Sequence, residues 1–244
     1  MACHPYSKLR RFALSLERAC SKAALAVMAL ATNLIILGLC DPAIAQKLYW
    51  SDQNFSGIRR ANMDGSSIEP VVEAILKYPS GIAVDPAGGK MYWGDLESNK
   101  IVRANLDGSQ LEDLITEAVD SPRDIALDLI AGKVYWTQQS TSSIKRSNLD
   151  GTHVEFVVVS GIVWPHGVAV DPVGGKLYLT DFSTDKIQRS DLDGNNLVTL
   201  VSGLSSPRSI ALDLSGGKMY WADAGAHKIQ RANLDGSDIE DVYF

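Results

Sequence analysis

The sequence predicts an all-β fold, a β-propeller of four-stranded antiparallel blades, on three observations. A Lys-x-Tyr-Trp/Leu strand motif recurs five times, from Lys47, Lys90, Lys133, Lys176 and Lys218, at spacings of 43, 43, 43 and 42 residues. Each copy is followed by an Ile-x-Arg segment that runs into an Asp-Gly turn. Four copies are preceded by a short apolar run, as in Pro122-Arg-Asp-Ile125-Ala-Leu-Asp128. Self-similarity at a fixed period marks a repeat architecture, and four short strands in about 43 residues is the size of a propeller blade.

The elements follow in chain order. Lys8, Arg10, Arg11, Arg18 and Lys22 precede an uncharged run from Ala23 to Cys40. Asp41-Pro42 breaks the run, and Ala43-Ile44-Ala45 offers small residues for cleavage before Gln46. A basic stretch, an apolar stretch and an A-x-A site predict a signal peptide over residues 1–45. The alternative is an uncleaved membrane anchor over residues 23–40, because a run of that length approaches a membrane span. Either way the expected location is outside the cytoplasm: secreted, extracellular or periplasmic.

Cys3, Cys20 and Cys40 are the only cysteines, so the rest of the chain is expected to hold together without disulfides. The whole chain of 244 residues carries a net charge of −6. Residues 1–45 hold five basic and two acidic side chains, which leaves −9 on residues 46–244. That charge argues against nucleic acid as a partner, which requires a basic stripe.

Residues 46–244 form the propeller, and the third copy shows how one period reads. Ile125-Ala126-Leu127 is an apolar run bounded by turn residues, hence a buried inner strand. Ala131-Gly132 turns the chain. Lys133 to Thr137 is rich in aromatic and β-branched residues and forms the second strand. The polar stretch Ser140 to Ser143 is a loop, and Ile144 to Asn148 is the third strand. Asp150-Gly151 forms the next turn, since glycine accepts the positive φ it requires. Val154 to Val159 is the fourth strand. The first copy lacks the Pro-x-x-Ile-Ala-Val-Asp run, so its blade is expected to miss its inner strand. Three closures stay open: a five-bladed ring, a ring completed by another chain, and a truncated six-bladed ring.

The Tyr-Trp-x-Asp signature is intact at Asp52, Asp95 and Asp223, with Leu179 in place of the tryptophan and Gln138 in place of the aspartate. From Lys47 to Phe244 the chain resembles the low-density-lipoprotein-receptor class B, or YWTD, repeat β-propellers. That resemblance implies a receptor-like role in ligand binding and usually six blades.

Residues present in every blade are expected to hold blades together. These are Tyr49, Trp50, Asp52, Tyr92, Trp93, Asp95, Arg103, Tyr135, Trp136, Arg146, Tyr178, Asp181, Arg189, Tyr220, Trp221, Asp223 and Arg231. Large aromatic area packs between blades, and Asp95 with Arg103 is an expected charge-assisted pair.

Function is expected on one face, where variable loops meet the channel. The loops between blades carry Tyr78, Arg123, Trp164, His166 and Arg208. The loops between second and third strands carry Phe55, Phe182 and His227, with Glu97, Asn99 and Asp185 beside them. Trp, Tyr, Phe and Arg on one rim have the composition of a protein-binding hot spot. The expected function is a secreted, non-enzymatic module that recognises a protein or peptide on this top face. One alternative is a propeller hydrolase or lyase, with Asp124 as its best carboxylate. Another is a structural protein that self-associates through open blade edges. Metal and cofactor are not expected: His153, His166 and His227 do not recur at metal-ligand spacing, and no G-x-S-x-G nucleophile motif occurs. No membrane span is expected after residue 45.

Overall fold

The computed structural model describes residues 34–35, 47–73 and 76–243. The expected export signal lies outside the described residues, except for Leu34–Ile35. Every regular element among the described residues is a β-strand. Blade one comprises β1 (Leu34–Ile35), β2 (Lys47–Asp52), β3 (Gly57–Asn62) and β4 (Glu69–Val72). Blade two comprises β5 (Pro79–Asp85), β6 (Lys90–Asp95), β7 (Lys100–Asn105) and β8 (Glu112–Ile115). Blade three comprises β9 (Pro122–Asp128), β10 (Lys133–Gln138), β11 (Ser143–Asn148) and β12 (Glu155–Val158). Blade four comprises β13 (Pro165–Asp171), β14 (Lys176–Asp181), β15 (Lys186–Asp191) and β16 (Val198–Ser202). Blade five comprises β17 (Pro207–Asp213), β18 (Lys218–Asp223), β19 (Lys228–Asn233) and β20 (Glu240–Tyr243).

Each blade is a four-stranded antiparallel sheet in sequential order, and the five blades follow one another in a ring, a five-bladed propeller. The inner strands β5, β9, β13 and β17 neighbour one another in turn, and β1 neighbours β5. The expectation that blade one lacks an inner strand is corrected. Leu34 pairs with Trp50 and Ile35 with Tyr49, the register by which Ile82 meets Trp93 and Ala83 meets Tyr92 in blade two. Leu34–Ile35, which lacks the repeat motif, occupies the same slot by the same strand register.

The core lies between blades rather than at the centre. In β6, β10 and β14 every residue after the first lysine is buried, since both faces of the sheet meet a neighbour. The outer strands β8 and β12 begin exposed. Tyr92, Ile101 and Ile115 of blade two pack against Val134 and Trp136 of blade three. Tyr178, Ile187 and Val201 of blade four pack against Met219 and Trp221 of blade five. Leu179, at the tryptophan position, is fully buried against Tyr135 and Ile144 of blade three.

Arginines bracket these interfaces. Arg60, Arg103, Arg146 and Arg189 each donate to a backbone carbonyl of the next blade: Leu106 at 3.0 Å, Leu149 at 2.7 Å, Leu192 at 2.9 Å and Leu234 at 3.3 Å. Arg231 makes no such bond among the described residues and pairs instead with Glu240. Among the described residues the junction from blade five to blade one has no such bracket.

The expected Asp95–Arg103 pair is also corrected. Asp95 stands opposite Lys100 and Arg103 opposite Tyr92, at separate points along the ladder. Arg103 pairs with Glu112 at 2.7 Å, while Asp95 accepts the Lys77, Tyr78 and Ser98 amides. Asp181 accepts the Val163 and Trp164 amides in the same manner. The motif aspartate thus ties down the loop that leads into its own blade. Gln138 keeps this acceptor for the Asp120 amide at 3.2 Å and also accepts the Trp136 indole N–H at 3.1 Å.

Candidate functional site at the channel mouth

Each complete inner strand opens with proline, and a register shift follows within the next residues. In β13, His166 and Gly167 together oppose the single residue Thr180 of β14. A bulge of this kind frees a side chain from the ladder alternation and re-aims it. Threonine hydroxyls staple the bulges. Thr137 Oγ1 accepts the Asp124 amide at 3.0 Å and donates to the His166 carbonyl of the next blade at 3.0 Å. Thr180 Oγ1 accepts the Gly167 amide at 2.8 Å and donates to the Arg208 carbonyl. Arg123, His166 and Arg208 are hence equivalent residues on three consecutive blades, each one place after its proline.

The residue after the motif aspartate completes the site. Leu96, Gln139 and Phe182 donate their amides to the carbonyls of Tyr78, Ser121 and Trp164, which joins the two loop sets into one rim. In blade four this places Phe182 against Trp164, ring centroids 5.1 Å apart, and against His166 at 6.0 Å. The Arg208 guanidinium lies 5.8 Å from the Phe182 ring centroid. Arg123 donates to Gln139. The sequence offered no reason to select Gln139, although its position just past the motif is the one Phe182 occupies.

The electrostatics are unusual for a scaffold. His166 is 7% exposed, and its Nδ1 has no hydrogen-bond partner. Burial pushes its pKa down to about 3, and Arg123 and Arg208 act in the same direction, so the imidazole is neutral at physiological pH. Burial also lowers the pKa of Arg123, opposed by Tyr78 and reinforced by Arg208. Among the described residues neither arginine forms an ion pair, whereas Arg60, Arg103, Arg146 and Arg231 all do. The Trp164 indole nitrogen is likewise buried without a partner.

The structure therefore brings together Tyr78, Arg123, Trp164, His166, Phe182 and Arg208 from four blades. Phe55 and His227 make other arrangements. Phe55 is exposed and lies under the Arg59 guanidinium, 4.1 Å from its ring centroid. His227 is exposed on the β18–β19 turn with φ of 56°. Asn99 and Asp185 brace neighbouring loops by accepting the Ser121 and Ser206 amides. Asp124 is buried, with both carboxylate oxygens engaged by backbone amides, Ile125 at 3.0 Å and Val168 at 3.0 Å. Among the described residues no group of three or more His, Cys, Asp or Glu is placed to hold a metal ion. No helix among them is long and apolar enough to cross a membrane.

Comparison with known proteins agrees with this architecture. Over 38 residues the chain is 55% identical to low-density lipoprotein receptor-related protein 5 of Homo sapiens, a match spanning 16% of this chain and only 2% of that protein. A chain in the crystal structure of a nidogen/laminin complex superposes with a TM-score of 0.74 at 28% identity, covering 81% of this chain and 78% of that one. Virginiamycin B lyase from Staphylococcus aureus superposes with a TM-score of 0.64 over 92% of this chain and 82% of its own, and at 17% identity it shares the fold alone. The low-density lipoprotein receptor repeat class B model matches residues 46–86, 89–129, 132–172, 175–214 and 217–244. Five matched repeats, the first four each running from the second strand of one blade to the inner strand of the next, place the chain in the low-density lipoprotein receptor class B repeat family.

Proposed function

We propose that the chain is a non-enzymatic binding module that recognises a protein or peptide through its top face, in the manner of a receptor domain. The observation that carries this is the meeting of Arg123, Trp164, His166, Phe182 and Arg208 at one channel mouth. Aromatic and arginine side chains clustered at the centre of a rigid rim are the usual anchors of protein interfaces. The family membership and the nidogen/laminin relative support a protein as partner. A hydrolase or lyase role is disfavoured because backbone amides occupy both oxygens of Asp124.

Export directed by residues 1–45 belongs to the same proposal. β1 lies inside that segment, so cleavage after Ala45 would vacate the inner slot of blade one. Amino-terminal sequencing of the exported protein decides between cleavage there and retention of Leu34–Ile35.

The test of the binding role is capture of proteins from extracellular fluid, identified by mass spectrometry, by the native chain and by the Trp164→Ala, Arg123→Ala double variant. The variant is expected to keep its near-ultraviolet circular dichroism and lose its captured partner. Unchanged capture would remove the top face from the proposal.

A further inference from the structure

We propose that the channel mouth is a receptor for a single carboxylate, the side chain of an aspartate or glutamate on the protein partner, held between Arg123 and Arg208 with His166 beside them. The proposal rests on the top-face binding role and names the chemistry of that site.

Two guanidiniums within electrostatic reach of one another repel, and among the described residues no carboxylate pairs with either. Arg208 makes no side-chain hydrogen bond among the described residues; its guanidinium only faces the Phe182 ring. Arg123 spends one N–H on the neutral Gln139. Elsewhere Arg59, Arg60, Arg103, Arg146 and Arg231 each have a carboxylate partner. Among the described arginines only Arg123, Arg189 and Arg208 form no ion pair, and Arg189 is committed to the Leu234 carbonyl of the next blade.

His166 supplies the second, independent observation. Its ring is buried within electrostatic reach of both arginines, and Nδ1 is left without a partner. A buried polar atom without a partner is costly unless a ligand satisfies it. A neutral imidazole presents a proton on one ring nitrogen, so His166 adds a hydrogen bond to an anion without adding charge. The planar fork of an arginine matches the two oxygens of a carboxylate. A doubly charged oxyanion would match the two guanidiniums in charge, and the sulfate arm of the test separates it from the carboxylate. Trp164 and Phe182 beside them offer apolar contact to the methylene stem of an acidic side chain and to its neighbours.

The test uses the whole protein labelled with 15N in histidine and tryptophan. Three probes are added at matched ionic strength: acetyl-Gly-Asp-Gly-amide, acetyl-Gly-Asn-Gly-amide and sodium sulfate. The aspartyl peptide is expected to shift the His166 ring nitrogens and the Trp164 indole N–H saturably, and the asparaginyl peptide and sulfate to bind at least about tenfold more weakly. Arg123→Gln and Arg208→Gln are each expected to weaken the aspartyl peptide by about tenfold or more. The Arg208 side chain is exposed and makes no hydrogen bond among the described residues, and its carbonyl bond to Thr180 is kept on substitution, so the Arg208→Gln variant is expected to keep the fold. Equal binding of the two peptides would overturn the proposal, as would sulfate matching the aspartyl peptide or indifference to both substitutions.

The protein-capture assay separates the two levels. Retained capture by the Arg→Gln variants, with capture lost in Trp164→Ala, leaves the top face standing and removes the carboxylate. Capture indifferent to all of them removes the top face itself.

Discussion

The carboxylate of Asp124 on β9 accepts the Val168 amide of β13 at 3.0 Å, a hydrogen bond that crosses from blade three to blade four beside the channel. The equivalent residues in blades two and four are Gly81 and Gly167. A side chain on Gly81 would collide with Asp124 itself, so the single carboxylate fits because its neighbour is bare. Burial raises the Asp124 pKa to about 7, against the downward pull of the Val168 and Ile125 amides. A raised folded-state pKa means that the native state binds the proton more tightly than the unfolded chain does. The contribution is fully present below the ordinary carboxylate value and is lost as pH rises through about 7. In that window stability attributable to Asp124 is expected to fall by about 1.4 kcal/mol per pH unit. Thermal unfolding of the native chain and of Asp124→Asn, compared from pH 5 to pH 8, checks this. The gap in favour of the native chain is expected to be widest at pH 5. A gap that widens towards pH 8 would reverse the assignment.

Arg146 distinguishes bracket from ion pair. Its Nη1 reaches the Leu192 carbonyl of the next blade at 2.9 Å, while its partner Glu155 is half exposed. Removing the arginine strands a carbonyl at a blade interface, and Arg146→Ala is expected to cost about 1–3 kcal/mol. Glu155→Ala removes a solvated ion pair and is expected to cost under about 1 kcal/mol. Denaturant melts of the two variants check the ranking.

Glycine is required at the turns of a blade for two reasons, and the Ala131-Gly132 and Asp150-Gly151 turns separate them. Gly151 has φ of 84°, and a Cβ there would meet the Leu114 carbonyl of the preceding blade. Gly132 has φ of 66° with open space around it. Gly132→Ala is expected to cost about 1 kcal/mol through backbone strain alone, and Gly151→Ala about 3 kcal/mol, since the blades must also part. Calorimetric unfolding of both variants measures the difference.

Thr180 couples the fold to the mouth. Its hydroxyl holds the Gly167 amide of its own blade and the Arg208 carbonyl of the next. Thr180→Val keeps the shape and removes both bonds, at an expected cost of about 1–3 kcal/mol. Because the bulge beside His166 is released, the His166 ring resonances are expected to broaden or shift. Unmoved resonances in a destabilised variant would mean that the staple supports the blade but not the site.

The blades were legible in the sequence because every blade solves the same packing problem with the same residues. The predicted strand from Lys133 to Thr137 is observed as Lys133–Gln138, and that from Ile144 to Asn148 as Ser143–Asn148. The inner strand of blade one was not legible. Leu34–Ile35 lacks the proline and aspartate that mark the other copies, and its apolar surroundings read as an export signal. The Asp95–Arg103 pairing failed because composition says which groups recur, while register decides which of them meet. At the mouth, variation between copies singled out the loops between blades. Arg123, His166 and Arg208 of those loops each follow the recurring proline, and the structure adds the bulge there, which the sequence did not announce. Phe55 and His227 follow less constrained turns in blades one and five, and nothing in the repeat ties those turns to the rim.

Top-face binding is tested most directly by the affinity for the captured partner, measured for the native chain, for a top-face variant and for an opposite-face variant. Trp164→Ala with Arg208→Gln alters the mouth. Ile130→Ser with Val173→Ser alters two exposed apolar residues in the turns at the far ends of the inner strands of blades three and four. The first pair is expected to lose at least about a hundredfold, as for removal of interface anchors, and the second to keep native affinity. Native affinity in the first pair, with loss in the second, would contradict top-face binding.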